Sequence, residues 1–243
     1  MLQTITEVRA AYSGEDVAAS YVDKRFTSAL TALLHERQVQ EVNRTFARCA
    51  PSAALELAPG PGRITRHVHT AGKLICVEYN QCMIDVAKKA RACPAQWIRG
   101  DGFALPLDCR FDLVYSFRFI RHFRRADRDR LYAEIRRVLT PGGILLMDAV
   151  NRTVSEPLRR SNPRDYTVYD KLYEGTSELE VELTDSGFEL VSATPVQRFF
   201  SAQSRVQNIV GPRWPRLCRK LIKILESVRQ GPALEWIVTC RRV

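Results

Sequence analysis

The sequence has no apolar run near the ~20 residues that a bilayer-spanning helix requires, and its N-terminus lacks a basic segment followed by an apolar one. It has no internal repeat, low-complexity tract or long Gly/Ser linker, which favours a single domain over residues 1–243. Its seven cysteines form no Cys-x-x-Cys pair and no compact cluster with histidine, so we expect neither a metal site nor disulfide bonds. These absences predict a reducing, cytoplasmic setting.

Acidic residues are outnumbered by basic ones. The chain has 37 Lys and Arg residues against 27 Asp and Glu residues, a net charge of +10, and 30 of the basic residues are arginine. A basic surface of this size favours acidic partners, which include nucleic acid, anionic lipid and anionic small molecules. The 45% hydrophobic content suffices for a buried core. The distribution of the charge along the chain has to decide among these partners.

Short apolar runs alternate with amphipathic segments. The predicted strands cover residues 53–58, 73–78, 96–101, 111–116 and 143–149. The predicted helices cover residues 15–49, 64–69, 81–91 and 127–139, the last closed by Pro141-Gly142-Gly143. This alternation, with short connections, predicts a parallel sheet that carries helices on both faces. Further along, the pattern predicts helices at 178–186 and 217–228 and strands at 188–191 and 233–240.

Three of the predicted strands end in residues that suit an adenosine ligand. The first runs into Glu-Leu-Ala-Pro-Gly-Pro-Gly at residues 56–62, where glycine allows a ligand to approach the backbone. Glu78 ends the second strand and can accept hydrogen bonds from both hydroxyls of a ribose. Asp101 ends the third and can accept one from an exocyclic amine. Ligands of open α/β sheets bind at these strand ends, so the three signals together predict adenosine.

Five segments within residues 50–150 resemble the motifs of class I methyltransferases that use S-adenosylmethionine (SAM). They are LELAPGPGRIT, ICVEYN, IRGDGFALPL, FDLVYSFRFIRHF and RRVLTPGGILLMDA. The resemblance, closest to methyltransferases of types 11 and 25, implies a Rossmann-like α/β fold. Its seven-stranded sheet would be mostly parallel, with an antiparallel last strand inserted beside the fifth. It also implies a helical lid over residues 1–50, a cofactor-binding core over 51–150, and substrate-side elements over 151–243 with a helical insertion at about 196–232.

The resemblance further implies which residues contact SAM. The expected cofactor contacts are Tyr21, Arg25, Glu56, Ala58, Gly60, Gly62, Glu78, Tyr79, Met83, Asp101, Gly102, Phe103 and Ser116. Tyr21 and Arg25 would reach the methionine carboxylate from the lid, unless they are ordinary surface residues. The chain departs from the family at Ala58, where glycine is usual, and at Pro59 and Pro61, which stiffen the loop and remove two N–H donors. A nicotinamide dehydrogenase fits poorly, because Thr65 occupies the place of its third glycine.

His122, just past the fourth strand, is the candidate general base for a hydroxyl acceptor. The competing interpretation, which the sequence favours, is a structural histidine beneath the cofactor loop. Ser116-Phe117-Arg118-Phe119 stands where enzymes that methylate base amines often have an Asn/Asp-Pro-Pro-aromatic motif. We therefore disfavour methylation of adenine or cytosine amines, and O-, S-, C- and alkyl-N acceptors remain open.

Two basic regions bear on the acceptor. Arg118 and Arg121 begin an arginine run at the expected active-site edge and could bind a carboxylate or phosphate. The segment at 217–228 combines an apolar stripe with cations, which indicates a cap helix packed on the sheet or, alternatively, a surface for anionic lipid. We predict methyl transfer to a small molecule, by O-methylation of an aromatic, lipid-like or anionic metabolite. The alternatives are methylation of RNA or protein, with nucleic acid the less favoured partner, and a cofactor-binding fold without activity.

Overall fold

The structure, a computed structural model, describes residues 4–12, 14, 28–90 and 94–243. Its strands are β1 (Ala53–Leu57), β2 (Lys73–Glu78), β3 (Gln96–Arg99), β4 (Phe111–Ser116), β5 (Leu139–Asn151), β6 (Leu172–Tyr173), β7 (Phe188–Arg198) and β8 (Ala233–Arg242). They form one sheet in the order β3-β2-β1-β4-β5-β8-β7, and the two-residue β6 pairs with the end of β5. β1 to β5 pair in parallel, and β8 lies antiparallel between β5 and β7. This confirms the predicted sheet and its inserted last strand.

The helices surround this sheet. They are α1 (Ile5–Ala11), α2 (Ala29–Cys49), α3 (Gln81–Lys89), α4 (Arg125–Val138), α5 (Arg152–Ser161), α6 (Thr176–Asp185), α7 (Phe200–Val210) and α8 (Pro215–Ser227). Single 3-10 turns occupy Thr65–His67, Ile120–His122 and Pro163–Asp165. The side chain of Ser28 caps α2 by accepting the N–H of Thr31 at 3.2 Å. Within the described ranges, no helix combines the length and apolar character needed to cross a bilayer.

Both faces of the sheet are buried. Leu55, Leu57 and Val77 point to one face, where they join a core that includes residues of α4 and α6. The intervening residues of the same strands point to the other face, where Leu34, Val42 and Phe46 of α2 cover them. Burial on both sides explains why these strands appear in the sequence as continuous apolar runs.

Two predicted helix boundaries were wrong for identifiable reasons. The helix expected at 64–69 is one 3-10 turn, because Asn43 of α2 bonds the carbonyl of His67 at 2.8 Å and the N–H of His69 at 2.9 Å. Those backbone groups are therefore not available for further helical turns. The helix predicted at 127–139 runs from Arg125 to Val138, but the Pro-Gly-Gly segment does not close it. Instead, the segment lies early in β5, where the pairing with β4 shifts register, and proline and glycine suit such a bulge.

The last third of the chain has more regular structure than predicted. β7 runs to Arg198, well beyond the predicted residues 188–191, because it pairs along its length with β8. Pro195 is tolerated within it because β7 is an edge strand. The helical insertion before the last strand consists of two helices, α7 and α8, of which only α8 was predicted. The helix α5 was also missed.

Candidate active site

A cavity lies at the carboxyl ends of the central strands, and we call it the strand-end cavity. The predicted cofactor contacts in its wall are Glu56, Ala58, Gly60, Glu78, Tyr79, Met83 and Gly102. They come from the ends of β1 and β2, from the start of α3, and from the loop after β3. The topology therefore brings together residues from three separate sequence motifs at one edge of the sheet, as the strand-end rule for ligand sites requires.

Glu78 connects the two loops that border this cavity. Its Oε2 accepts the N–H of Gly60 at 3.0 Å, and its Oε1 accepts the N–H of Asn80 at 2.9 Å. Burial raises the pKa of the carboxyl, although these two hydrogen bonds oppose the shift. Each carboxylate oxygen can accept a second hydrogen bond, so Glu78 can hold both loops and still accept the hydroxyls of a ribose.

The glycine-rich loop is sharply bent. Ala58 and Gly60 have φ values of 54° and 58°, in the left-handed region that favours glycine. Space is open for 4 Å around the position of a Cβ added to Gly60, as expected for a residue that faces a cavity. Gly62 is turned the other way, and its Cβ position would lie 3.3 Å from Ala87. Gly62 therefore packs against α3 and is not in the cavity wall.

Glu56 is buried beneath the loop. Its Oε2 accepts the hydroxyls of Thr65 at 2.6 Å and Tyr115 at 2.9 Å. Burial raises the pKa of Glu56 to about 7, against the opposing effect of these hydrogen bonds. Arg63 also lies in the cavity wall, and it donates to Gln38 Oε1 at 2.7 Å. Arg63 was not among the predicted contacts, although its position directly after the last glycine of the loop indicates that it borders the ligand site.

A second cavity, the adjoining cavity, shares Tyr12, Arg118 and His122 with the first. The wall of the adjoining cavity combines apolar and ionisable side chains. The apolar ones are Leu30, Leu34, Val150, Val168, Phe200 and Leu234, and the ionisable ones include Arg159, Asp165, Asp170 and Glu235. Two cavities with a common wall can hold two reactants next to each other.

His122 lies in that common wall, and its environment determines which ring nitrogen carries a proton. Its Nδ1 is 3.0 Å from the carbonyl oxygen of Tyr169 and 2.7 Å from Asp170 Oδ1. Both neighbours are hydrogen-bond acceptors, so Nδ1 carries the proton in the neutral ring. Nε2 is buried, with no hydrogen-bond partner in the described part of the chain. In the neutral ring it is therefore a base at the junction of the cavities.

Comparisons with known proteins show which family the chain is similar to. A family model described as "Methyltransferase domain" matches residues 55–147. Residues 55–147 are therefore similar to a methyltransferase domain. An uncharacterized 37.1 kDa protein in transposon TN4556 of Streptomyces fradiae is 30% identical over 173 residues, which make up 65% of this chain and 50% of that protein. The chain spans 36% to 57% of the length of three curated relatives.

Solved structures share the fold of this chain. Magnesium protoporphyrin IX methyltransferase from Synechocystis PCC 6803, with bound S-adenosylhomocysteine (SAH), superposes with a TM-score of 0.68 at 11% identity. That superposition covers 99% of this chain and 100% of the other. The DhpI-SAM-HEP complex gives a TM-score of 0.64 at 17% identity and covers 99% of each chain. At such identities the likeness concerns the fold, and it extends beyond the 55–147 match to the whole sheet.

Three other predicted cofactor contacts lie outside the strand-end wall. Asp101 Oδ1 is 2.7 Å from Arg9 Nη2 of α1 and also accepts the N–H of Phe103. The ring of Phe103 packs edge-to-face on Phe123, with centroids 5.0 Å apart. Ser116 donates its hydroxyl to the carbonyl of Leu57 at 2.7 Å, which ties β4 to β1. Tyr21 and Arg25 lie outside the described residues.

The two arginines predicted to bind an anionic acceptor differ in their surroundings. Arg121 is buried, and its Nη1 lies 2.9 Å from Asp148 and 2.8 Å from Glu235, while its Nε is 3.1 Å from Asp170. Three carboxylates therefore hold Arg121, so it does not present a free charge to a ligand, contrary to the prediction. The side chain of Arg118 lies in the wall of both cavities, and its buried Nε lacks a hydrogen-bond partner among the residues described.

Proposed function

We propose that this methyltransferase binds SAM in the strand-end cavity and methylates the hydroxyl of a small molecule bound in the adjoining cavity. In this proposal His122 is the general base. The observation that carries it is the buried, unpaired Nε2 of His122 in the wall that the two cavities share. Residues 1–243 would act as one catalytic domain, in which residues 1–50 form the lid.

The residues of the strand-end cavity fit SAM chemically. Glu78 offers carboxylate oxygens to a ribose, and the open space at Gly60 admits a ligand against the backbone. Val77, Met83 and Phe119 supply apolar surface for a purine. Bound SAM supplies a methyl group on a sulfonium, which drives the transfer. The contribution of the chain is to position the reactants and to exclude water.

The surroundings of His122 suit a base that gains a proton. Nε2 would take the proton of the acceptor hydroxyl, and the resulting imidazolium would lie against Asp170. Although burial opposes it, Arg121 and His122 hold the pKa of Asp170 well below its usual range, so this carboxylate stays ionised. The arrangement of a fixed Nδ1–H and a free Nε2 favours the general base over the structural histidine that the sequence favoured.

The test begins with a screen of phenols and alcohols for SAH release in the presence of SAM. With an active acceptor, His122→Gln should lower turnover by ~10²–10⁴-fold and leave SAH affinity nearly unchanged in calorimetry. His69→Gln, at an exposed histidine outside both cavity walls, is the matched control and should behave as wild type. A folded His122→Gln variant with nearly full turnover, or a screen without SAH release, would contradict the proposal.

We propose lipid contact as a further property of the same chain, since α8 turns an apolar stripe outward. Trp214, Leu217, Ile224 and Val228 are 57%, 47%, 61% and 44% exposed, and their spacing places them on one side of the helix. The cap-helix interpretation also fits in part, because α8 buries Cys218 and Ile222 on another side. Exposed cations flank the stripe at Arg213, Arg216, Arg219, Lys220, Lys223 and Arg229. An anionic lipid surface complements both features.

A further inference from the structure

Glu235 of β8 has an oxygen that no described residue satisfies. The residue is 5% exposed and lies in the wall of the adjoining cavity. Its Oε1 accepts a hydrogen bond from Arg121 Nη1 at 2.8 Å, whereas Oε2 is buried without a partner. A buried acceptor without a donor costs about 1–3 kcal/mol. Because Glu235 lies in a cavity wall, a bound ligand with a hydrogen-bond donor would satisfy this oxygen.

Most of the neighbouring charged groups contact one another, whereas Glu235 Oε2 and Arg118 Nε are buried without a hydrogen-bond partner among the described residues. Asp148 accepts the N–H of Arg118 at 2.7 Å with Oδ1 and pairs with Arg121 through Oδ2. Asp170 is enclosed by Arg121, His122 and Arg159. The guanidinium groups of Arg121 and Arg159 are thereby already committed to carboxylates. Arg121 and Arg159 therefore have little to offer an anionic acceptor, and the N–H of Arg118 Nε is the guanidinium donor in this wall that the described residues leave without a partner.

The formal charges of the wall lead to the same conclusion. Arg118, Arg121 and Arg159 face three carboxylates of the same wall, which are Asp165, Asp170 and Glu235. A fourth carboxylate, Asp148, lies directly behind Arg121. Asp148 is not part of this wall, and burial raises the pKa of its carboxyl. The wall itself therefore has no excess of positive charge that would favour an anionic acceptor.

We infer that Glu235 selects the acceptor by accepting a hydrogen bond from an amine at the end remote from the reacting hydroxyl. A protonated amine brings the missing donor, and charge-assisted hydrogen bonds are about twice as strong as neutral ones. This inference rests on the proposed function only in placing the acceptor in the adjoining cavity. It replaces the anionic acceptor of the sequence analysis with an amino-bearing one.

Three phenols that differ only in the end group of the side chain test the inference. They are tyramine, 4-ethylphenol and 3-(4-hydroxyphenyl)propionate, which end in an ammonium, a methyl group and a carboxylate. Each is titrated into the full chain saturated with SAH, and binding is followed by calorimetry or ligand-observed NMR. We expect tyramine to bind at least ~10-fold more tightly than the propionate, as one charge-assisted hydrogen bond provides.

Glu235→Gln should remove this preference by weakening tyramine ~10-fold while leaving 4-ethylphenol unchanged. The variant retains an oxygen that can accept from Arg121, so the buried network stays bonded. Glu189→Gln is the matched control, because Glu189 is an exposed residue of β7 that pairs with Arg241. Should Glu235→Gln fail to fold, the order of the three probes on the wild type decides the question.

The outcomes separate the two proposals. Failure to bind SAH would remove the proposed function itself. SAH binding together with a preference for the propionate, no preference, or no binding of any probe would overturn the role of Glu235. A tyramine preference that survives in folded Glu235→Gln would assign it to another group and also overturn this role.

Discussion

At the residue scale, burial strongly perturbs the carboxyl of Glu56. Burial raises its pKa from 4.5 to about 7. The folded state therefore binds a proton that the unfolded state has lost between those pH values. For an acid whose pKa is raised by folding, the contribution to stability is greatest below pH 4.5 and declines as pH rises to about 7. The decline is on the order of 3 kcal/mol, because one pKa unit corresponds to about 1.4 kcal/mol.

Glu56→Gln should remove this pH dependence. Its side-chain oxygen can accept the hydroxyls of Thr65 and Tyr115, so the main change is loss of the ionisable group. The free energy of unfolding of the variant minus that of the wild type should increase between pH 5 and pH 8. Urea titrations of the two ligand-free proteins measure this difference. A difference that stays constant over this range would show that Glu56 does not titrate there.

At the element scale, α1 is held against the strand-end cavity. A capping box begins the helix, with the N–H of Glu7 bonded to Thr4 Oγ1 at 3.1 Å. Val8 packs in a small cluster with Phe123 and Leu131. Arg9 pairs with Asp101 and lies 4.3 Å from the ring centroid of Tyr79. The helix thus connects the ends of β2 and β3 across one part of the cavity wall.

Arg9→Ala should increase the dissociation rate of SAH several-fold, because the contacts that hold α1 on the cavity are lost. Stability without ligand should change by less than ~1 kcal/mol, since partly exposed ion pairs contribute little. Surface plasmon resonance measures the rate, and Arg44→Ala, at an exposed ion pair within α2, is the control. Tighter SAH binding in Arg9→Ala would instead mean that Arg9 competes with the cofactor for Asp101.

The elements that the sequence predicted well are those with local signals. β2 and β4 match their predicted bounds because short apolar runs end at polar residues or turns. The long β7 follows from pairing with β8, which a local pattern does not contain. The predicted helix at 64–69 failed for the same reason, since Asn43 acts on it from another element.

At the scale of the whole molecule, the same distinction applies to the site. Glu78 and Gly60 were predictable from strand-end motifs within one stretch of chain, and they do lie together. The ion-pair network of the adjoining cavity joins Arg121 to Glu235, residues separated by 114 positions. No local sequence motif predicts such a pairing. The sequence therefore predicted that Arg121 is free to bind an anionic ligand, whereas three carboxylates surround it in the structure.

The net charge of +10 bears on how the whole molecule meets a surface. Cations line the exposed stripe of α8, and Glu226, the acidic residue within this helix, is buried and bonded to the backbone N–H groups of Gln197 and Arg198. Two copies meeting through this face would oppose cation to cation. An anionic bilayer would attract the cations and take up Trp214 and its apolar neighbours, which nucleic acid would leave exposed.

We therefore expect the chain to sediment with phosphatidylcholine vesicles that contain 30% phosphatidylglycerol and not with pure phosphatidylcholine. Binding should weaken at 0.5 M salt, where charges are screened within a few ångströms. The double variant Leu217→Gln and Ile224→Gln should reduce partitioning at least ~10-fold, whereas Val181→Gln, at a residue of α6 that is 62% exposed, should not. Equal binding to both vesicles, or none, would exclude anionic lipid. Binding of a short RNA duplex that the double variant retains would assign the cations to nucleic acid instead.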